Sequence, residues 1–426
     1  MRYLLSIINI TLLFALFFSA CGDQKSATNV QTPPITIKTL QSTLDREIPD
    51  TNEINTTLIV NGNSDFAFDL YRELNQSGEN LFFSPYSISS AFTMLYAGAE
   101  GNTKTQMRQV MHFLDDDTLH HTSFNALDTS IFDGEANLTS ANSLWLQSDF
   151  SVNTPFLDTL ALNYGADVKT VDFSADPESA RLAINDWVSD KTCAMIPTAL
   201  PEGTIQNDTK IVLVNTIHFV ANWLKTFSEA FTFKSDFCLN DETNVSVDMM
   251  MQGDYFSYFK SDKFAAVSLR YDDSKTKMLV ILPDEGVFDA VENNLTSQTL
   301  DTIQSRLSTY SVSLMMPKFE LTAQYGLSDY LKSLGMTDAF NSSADFSGIT
   351  NSTNLMITDA IHKAVIKVDE EGTEAAAVTA VIIGPSSAPY ISYPSALMII
   401  NRPFFFFIMD QTDTILFMGK VENPAC

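Results

Sequence analysis

Asp369-Glu370-Glu371-Gly372-Thr373-Glu374-Ala375-Ala376-Ala377-Val378-Thr379-Ala380-Val381-Ile382-Ile383 is the stretch whose reading matters most in this chain. Its opening is polar, its middle is small and its end is β-branched. The loop formers Gly384-Pro385-Ser386-Ser387-Ala388-Pro389 follow. Glu374 to Ala377 suit a helix, whereas Val378 to Ile383 favour a strand. On pleat alternation, Thr373, Ala375, Ala377, Thr379, Val381 and Ile383 share one face, and Glu374, Ala376, Val378, Ala380 and Ile382 share the other. The first face begins small and becomes apolar. Such a segment could enter between two existing strands without a steric stop.

On the N-terminal side the pattern is helical. Ala67, Leu70, Tyr71 and Leu74 recur at helical spacing. Ser84 and Pro85 read as a cap and a first-turn proline before the apolar stripe Ile88, Ala91, Phe92 and Leu95, with Gly98 past its end. Asn102-Thr103 precede a third helix carrying Met107, Val110, Met111 and Leu114. After residue 210 short apolar or alternating runs take over: Ile211 to Val214, Met278 to Leu282, Val312 to Met316 and Ala364 to Val368. Leu327, Leu331 and Leu334 mark one more helix, closed by Gly335. Leu397 to Ile400, Phe404 to Met409 and Thr414 to Met418 are strand material. Helices early and strands late predict an α+β protein, and the lack of a repeat or a second linker predicts one large domain, 59–426.

Of the 426 residues, 45% are hydrophobic, enough for a large core. Acids outnumber bases 52 to 25 for a net charge of −27, which opposes binding to nucleic acid and to anionic lipid surfaces. Arg2 is the lone charge before the apolar run Leu4 to Phe18, so residues 1–20 read as a secretory signal. Phe18-Ser19-Ala20-Cys21 resembles a bacterial lipobox, with Cys21 as the lipidated residue; an ordinary signal with an incidental cysteine is the other reading. Residues 21–58, rich in Ser, Thr, Asn, Gln and Asp, read as a polar tether. The expected setting is the cell envelope or outside it, with membrane contact through the lipid alone. Cys193, Cys238 and Cys426 leave one disulfide or three free thiols equally open.

A search for enzyme chemistry finds no His-Glu-x-x-His, no Gly-x-Ser-x-Gly, no phosphate loop and no cysteine pair with metal spacing. His120-His121 read as solvated. Asp115-Asp116-Asp117 lacks the form of a calcium loop, and Glu370-Glu371 fit a solvated turn as well as any catalytic pair. No catalytic residue, metal or cofactor is expected. A triad assembled in space remains open.

Several segments nevertheless share one resemblance. Glu370-Glu371-Gly372-Thr373-Glu374-Ala375-Ala376-Ala377 is similar to the reactive-loop hinge of the serpins, the serine protease inhibitor family. Asn80-Leu81-Phe82-Phe83-Ser84-Pro85-Tyr86-Ser87-Ile88, Leu213-Val214-Asn215-Thr216-Ile217-His218-Phe219 with Trp223, His362-Lys363-Ala364, and the two runs Gly335 to Phe340 and Ala344 to Ile349 resemble further family segments. So does Asn401-Arg402-Pro403-Phe404 through Pro424. The motifs occur in the family's order over about residues 60 to 424.

The resemblance implies three β-sheets with a shell of eight or nine helices, and a reactive loop at about 369–396 exposed as bait. A target serine protease would attack the loop and form a covalent acyl complex, and the cleaved loop would insert as a strand in the large sheet. A monomer is expected. The implied hinge is Glu371, Gly372, Thr373, Glu374, Ala375, Ala376, Ala377, Val378 and Thr379, with Gly372 supplying freedom where the strand bends. The small residues on the entering face suit an inhibitor better than the alternative, a non-inhibitory binding or chaperone module. Counting from Gly372 places the bait bond at Ser386-Ser387; Ala388, Tyr390 and Tyr393 are alternatives, because Ser387 to Asn401 is longer than usual. No Lys or Arg lies between Lys367 and Arg402, so an elastase-like or subtilisin-like target is expected. The implied sheet-opening cluster is Ser84, Ser87, Asn215 and His362, with Trp223 where the loop first enters. Cys193-Ala194-Met195 departs from the family's Gly-Lys-Ile.

Overall fold

The structure is a computed structural model that describes residues 35–49, 54, 56–76, 78–132, 138–192, 194–352, 355–373 and 393–425. For residues 138–141 and 218 the backbone alone is described. The helices are α1 (Thr57–Leu74), α2 (Pro85–Tyr96), α3 (Gly101–Val110), α4 (Asp117–Phe132), α5 (Thr154–Tyr164), α6 (Pro177–Lys191), α7 (Phe288–Glu292), α8 (Ser297–Arg306) and α9 (Ser328–Ser333). The strands are β1 (Lys38–Leu40), β2 (Leu81–Phe83), β3 (Leu138–Gln147), β4 (Val168–Val171), β5 (Ile211–Phe219), β6 (Ala221–Asn222), β7 (Phe233–Cys238), β8 (Asn244–Lys260), β9 (Phe264–Arg270), β10 (Lys277–Pro283), β11 (Ser308–Pro317), β12 (Phe319–Gly326), β13 (Ile357–Val368), β14 (Gly372–Thr373), β15 (Ser395–Ile399), β16 (Phe404–Met409) and β17 (Ile415–Val421).

The large mixed sheet runs β1-β4-β3-β5-β13-β14-β6, and β12 also pairs with β13. At its centre β5 and β13 lie side by side in parallel, with His362 opposite Asn215. The second hydrogen-bonded network runs β15-β11-β8-β9-β10-β16-β17-β2, with β7 on β8. The 17-residue β8 pairs with β7 and β11 through one part and with β9 through its far end. One long strand therefore joins what would otherwise be two smaller sheets, which accounts for the α+β, multi-sheet expectation.

Helix α2 occupies the space beneath the large sheet. Ser84 caps it, accepting from the Ser87 N–H, and Pro85 fills the first turn. All twelve of its residues are buried, and its buried hydroxyls are paired: Ser89 with Asn63, Ser90 with Asn142, Ser87 with Asn215 and Thr93 with His120. On the opposite face of the large sheet, Ala180, Ile184 and Val188 of α6 pack with Trp145, Val212 and Val214. β16 and β17 are buried along their whole length, and their near-continuous apolar runs suit strands covered on both faces.

Two expectations need correction. Residues 35–49, read as part of a tether, lie against the body. β1 pairs antiparallel with β4 at the edge of the large sheet. Arg46 bonds Asp128 at 2.7 Å and Asn125 at 2.9 Å on α4, and the Ser42 hydroxyl donates to Asp158 at 2.6 Å. A free sheet edge recruits backbone groups, so a polar segment can pair without an apolar period to announce it. His120 and His121, read as solvated, are buried on α4. His120 Nε2 meets the Thr93 hydroxyl at 2.5 Å, and His121 Nδ1 meets the Tyr164 hydroxyl. Polar neighbours in sequence hid a face that packs on Tyr96, Phe113 and Phe124. Burial pushes His120 down to about 3 and His121 down to about 4.

Candidate functional site: the loop hinge and the seam below it

β13 ends at Val368, where the chain turns sharply. The Asp369 N–H donates to the Gly372 carbonyl at 2.9 Å, and the Asp369 carboxylate accepts from the Glu371 N–H at 3.1 Å. This turn sends β14 back antiparallel to β13, pairing Val368 with Thr373, while its other edge pairs Gly372 with Asn222 and Thr373 with Ala221 on β6. The first two residues of the predicted entering strand are thus already in the sheet. Gly372 has a different reason from the one the sequence suggested. A Cβ there would come within 2.1 Å of the Ala221 carbonyl oxygen and 2.6 Å of Asn222 Cα, so close backbone approach excludes any side chain. Thr373 is wholly buried and its hydroxyl meets that of Tyr271 at 2.7 Å.

Trp223 closes this entrance. Its N–H donates to the Glu371 carbonyl at 2.8 Å, its indole Nε1–H donates to the Asp369 carbonyl at 2.9 Å, and its ring stacks on Tyr271 with centroids 4.6 Å apart. Glu370, read as part of a solvated turn, is buried: its carboxylate accepts from Lys318 Nζ and from the Thr232 hydroxyl, each at 2.6 Å. Burial alone would raise the Glu370 carboxyl, but the bonds from Lys318 and Thr232 outweigh it and hold the group below the usual carboxylate range. Tyr271, Lys318 and Thr232 are parts of the site that sequence reasoning missed. Each comes from a distant strand or loop, and no local pattern marks it.

Below the entrance the sheet is closed. β5 and β13 are paired from Ile211 with Ile357 to His218 with Val365, leaving no lane for a further strand there. Four residues expected to act together meet under this seam. The Ser84 N–H donates to His362 Nε2 at 3.0 Å, so that nitrogen carries no proton. Nδ1 then holds the proton and donates to Asn215 Oδ1 at 2.6 Å. Asn215 Nδ2 donates to the Ser87 carbonyl at 2.7 Å, to the Ser87 hydroxyl at 2.5 Å and to Asn142 Oδ1. The Ser84 hydroxyl donates to the Leu416 carbonyl at 2.5 Å and accepts from the Ser87 N–H. The network ties the N-terminus of α2 to β3, β5, β13 and β17, with His362 and Asn215 on opposite sides of the seam. Burial pushes His362 down to about 3. Trp223 does not join this cluster. It belongs to the entrance, where it meets Asp369, and Asp369 lies seven residues along the chain from His362, roughly 20 Å at strand rise.

Glu374 to Thr379, Ser386, Ser387, Ala388 and Tyr390 lie outside the described residues, as do Cys21, Cys193 and Cys426. The chain is described again from Tyr393, whose ring meets that of Tyr255 edge-on with centroids 5.1 Å apart. Cys238 is a free, exposed thiol. Among the described residues no three His, Cys, Asp or Glu side chains gather as a metal site.

A large mixed sheet, a helix buried beneath its central parallel seam and a hinge seated two residues into its open end define an α+β protein of the serpin type. The chain belongs to the serpin family: the family profile described as Serpin (serine protease inhibitor) matches residues 61–424. It is 39% identical over 370 residues to an uncharacterized serpin-like protein of Thermococcus kodakarensis, covering 86% of each chain. It is 36% identical over 378 residues to the leukocyte elastase inhibitor of Sus scrofa, covering 85% of this chain and 98% of the other. The crystal structure of tengpin, a thermophilic serpin, in its native state superposes with a TM-score of 0.80 at 28% identity, covering 91% of this chain and 99% of that one.

Proposed function

We propose that this protein inhibits serine proteases as a suicide substrate. The observation that carries the reading is the hinge: Gly372 and Thr373 sit at the mouth of the β5–β13 seam, and the seam is closed directly below them. In this reading the target's serine attacks the carbonyl at the bait bond, Ser386-Ser387, and the new amino terminus departs while the other half stays esterified to the protease. The cleaved strand then continues from Thr373 into the seam, antiparallel to β5 and β13. About a dozen new backbone hydrogen bonds at roughly 0.5–1.5 kcal/mol net each give a driving force on the order of 10 kcal/mol. Ala375 and Ala377, following Thr373 on the entering face, offer no bulk to slow the step. Opening the seam must break the bond from His362 to Asn215, and Ser84, Ser87 and Asn142 are the partners with which those two groups can pair again.

The small, uncharged residue before the bait bond, together with the likeness to an elastase inhibitor, supports an elastase-like or subtilisin-like target. The leader at 1–20 and Cys21 support export and lipid attachment, with the inhibitor acting as a monomer at a membrane surface. Incubating the full chain with pancreatic elastase and with subtilisin tests the proposal. An SDS-stable complex of summed mass is expected. Clean loop cleavage without complex overturns it in favour of a non-inhibitory binding or chaperone module.

A further inference from the structure

A cavity of about 200 Å³ lies between the segment Trp223-Leu224-Lys225 and the β8–β9 pair. The segment is tied down: the Leu224 N–H donates to the Arg270 carbonyl at 2.9 Å, and Gln252 Nε2 donates to the Lys225 carbonyl at 3.3 Å. The facing side is a row across three strands. Ser257 stands opposite Thr309 on β11 and opposite Ser268 on β9. Tyr255 and Arg270, each two residues along its strand, share that face. Ser268 is only 7% exposed, yet among the described residues its hydroxyl has no hydrogen-bond partner, and neither have those of Ser257 and Thr309. A buried hydroxyl ordinarily has one. No carboxylate lines the cavity, in a chain of net charge −27. Its two charged residues are both cations. Lys225 pairs with Asp254 at 2.5 Å, whereas Arg270 makes no ion pair among the described residues and gives one N–H to the Ser274 carbonyl at 3.3 Å.

We propose that this cavity is a binding site for a small carboxylate with an aromatic or short apolar body. Three features select that class. The unpaired guanidinium of Arg270, in a lining without acids, calls for negative charge, and its planar fork matches the two oxygens of a carboxylate. The unpaired hydroxyl of Ser268, with Ser257 and Thr309 in the same row, calls for a polar atom beside that charge. Tyr255, Phe256 and Leu269 line the rest and suit an apolar body. A cationic ligand would meet two like charges. The volume falls below the roughly 300–1,000 Å³ of sites for drug-sized molecules, so a nucleotide or a sugar chain is too large. The cavity shares Trp223 with the hinge as a wall, but Arg270, Ser268 and Ser257 make none of the bonds that seat the hinge. The site therefore stands apart from the inhibitor reading.

Phenylacetate serves as the probe, titrated into the full chain by isothermal calorimetry. Phenylacetamide supplies the same body without the charge, and acetate the charge without the body. One phenylacetate should bind per chain, with a dissociation constant in the millimolar range or below, and the two controls should bind at least about tenfold more weakly. Arg270→Gln should erase the preference for phenylacetate over its amide. Ser268→Ala should weaken binding several-fold. Ser257→Leu, which puts bulk into the cavity, should abolish it and stands in if Arg270→Gln is unstable. Without ligand the thermal transitions of the variants should match that of the wild type; saturating phenylacetate should raise the wild type's transition and leave that of Ser257→Leu in place. No saturable binding by the wild type, equal affinity for the amide, or wild-type affinity in both Arg270→Gln and Ser257→Leu would each overturn the proposal. No protease enters the measurement, so its failure leaves the inhibitor reading standing, and a missing protease complex leaves the site standing.

Discussion

Thr373 is the residue at which the described hinge ends, and its surroundings set what the position tolerates. It has no exposed surface, its hydroxyl bonds Tyr271, and Gly372 before it leaves no room for a Cβ. A guanidinium placed here would be buried without a partner, a costly state. Thr373→Arg should therefore stay outside the sheet, and the loop should be cut without trapping the protease. Measured as the ratio of cleaved to complexed product, inhibition should collapse while cleavage continues; an unchanged stoichiometry would contradict entry at this position. The alternation Thr373, Ala375, Ala377 is a period-two pattern in the sequence, of which Thr373 alone lies among the described residues. The reason for Gly372 was not legible, since a glycine needed for close approach and one needed for bending look alike in sequence. Glu370 was misread for a similar reason. Its partners Lys318 and Thr232 are 52 and 138 residues away, and an acid without visible partners reads as solvated.

Among the elements, the seam between β5 and β13 loses stability in acid. His362 accepts the Ser84 N–H, so a proton on Nε2 would set two donors against each other. Its folded pKa of about 3 lies below the unfolded value of 6.5. The unfolded chain therefore binds the proton first, and stability falls as pH drops from about 6.5 toward 3. His120 and His121 act in the same direction. His362→Gln keeps an acceptor for Ser84 and a donor for Asn215 but cannot titrate. The thermal transition of the wild type should fall between pH 6.5 and 4, and the variant's fall should be shallower by roughly one proton, about 1.4 kcal/mol per pH unit. Parallel curves for the two proteins would remove His362 from this role. Helix α2 could be read from Ser84, Pro85 and the apolar run behind them because caps and stripes are local signals. The pairing of β5 with β13 could not, because parallel partners nearly 150 residues apart share no local code. β1 escaped notice because its hold on β4 is made by backbone groups.

Over the whole molecule, the family motifs fixed the architecture while composition fixed little beyond core size and charge. In the proposed inhibitor reading, the closed β5–β13 seam below the seated hinge can still open to take one more strand. That stored gain is the proposal's central claim. The direct measurement is thermal unfolding of the intact protein against the same protein nicked once within residues 384–390 by a protease that is then removed. If the severed strand enters the seam, a gain on the order of 10 kcal/mol should raise the transition by roughly 10 °C or more. A transition that stays where it was, or falls, would contradict the account.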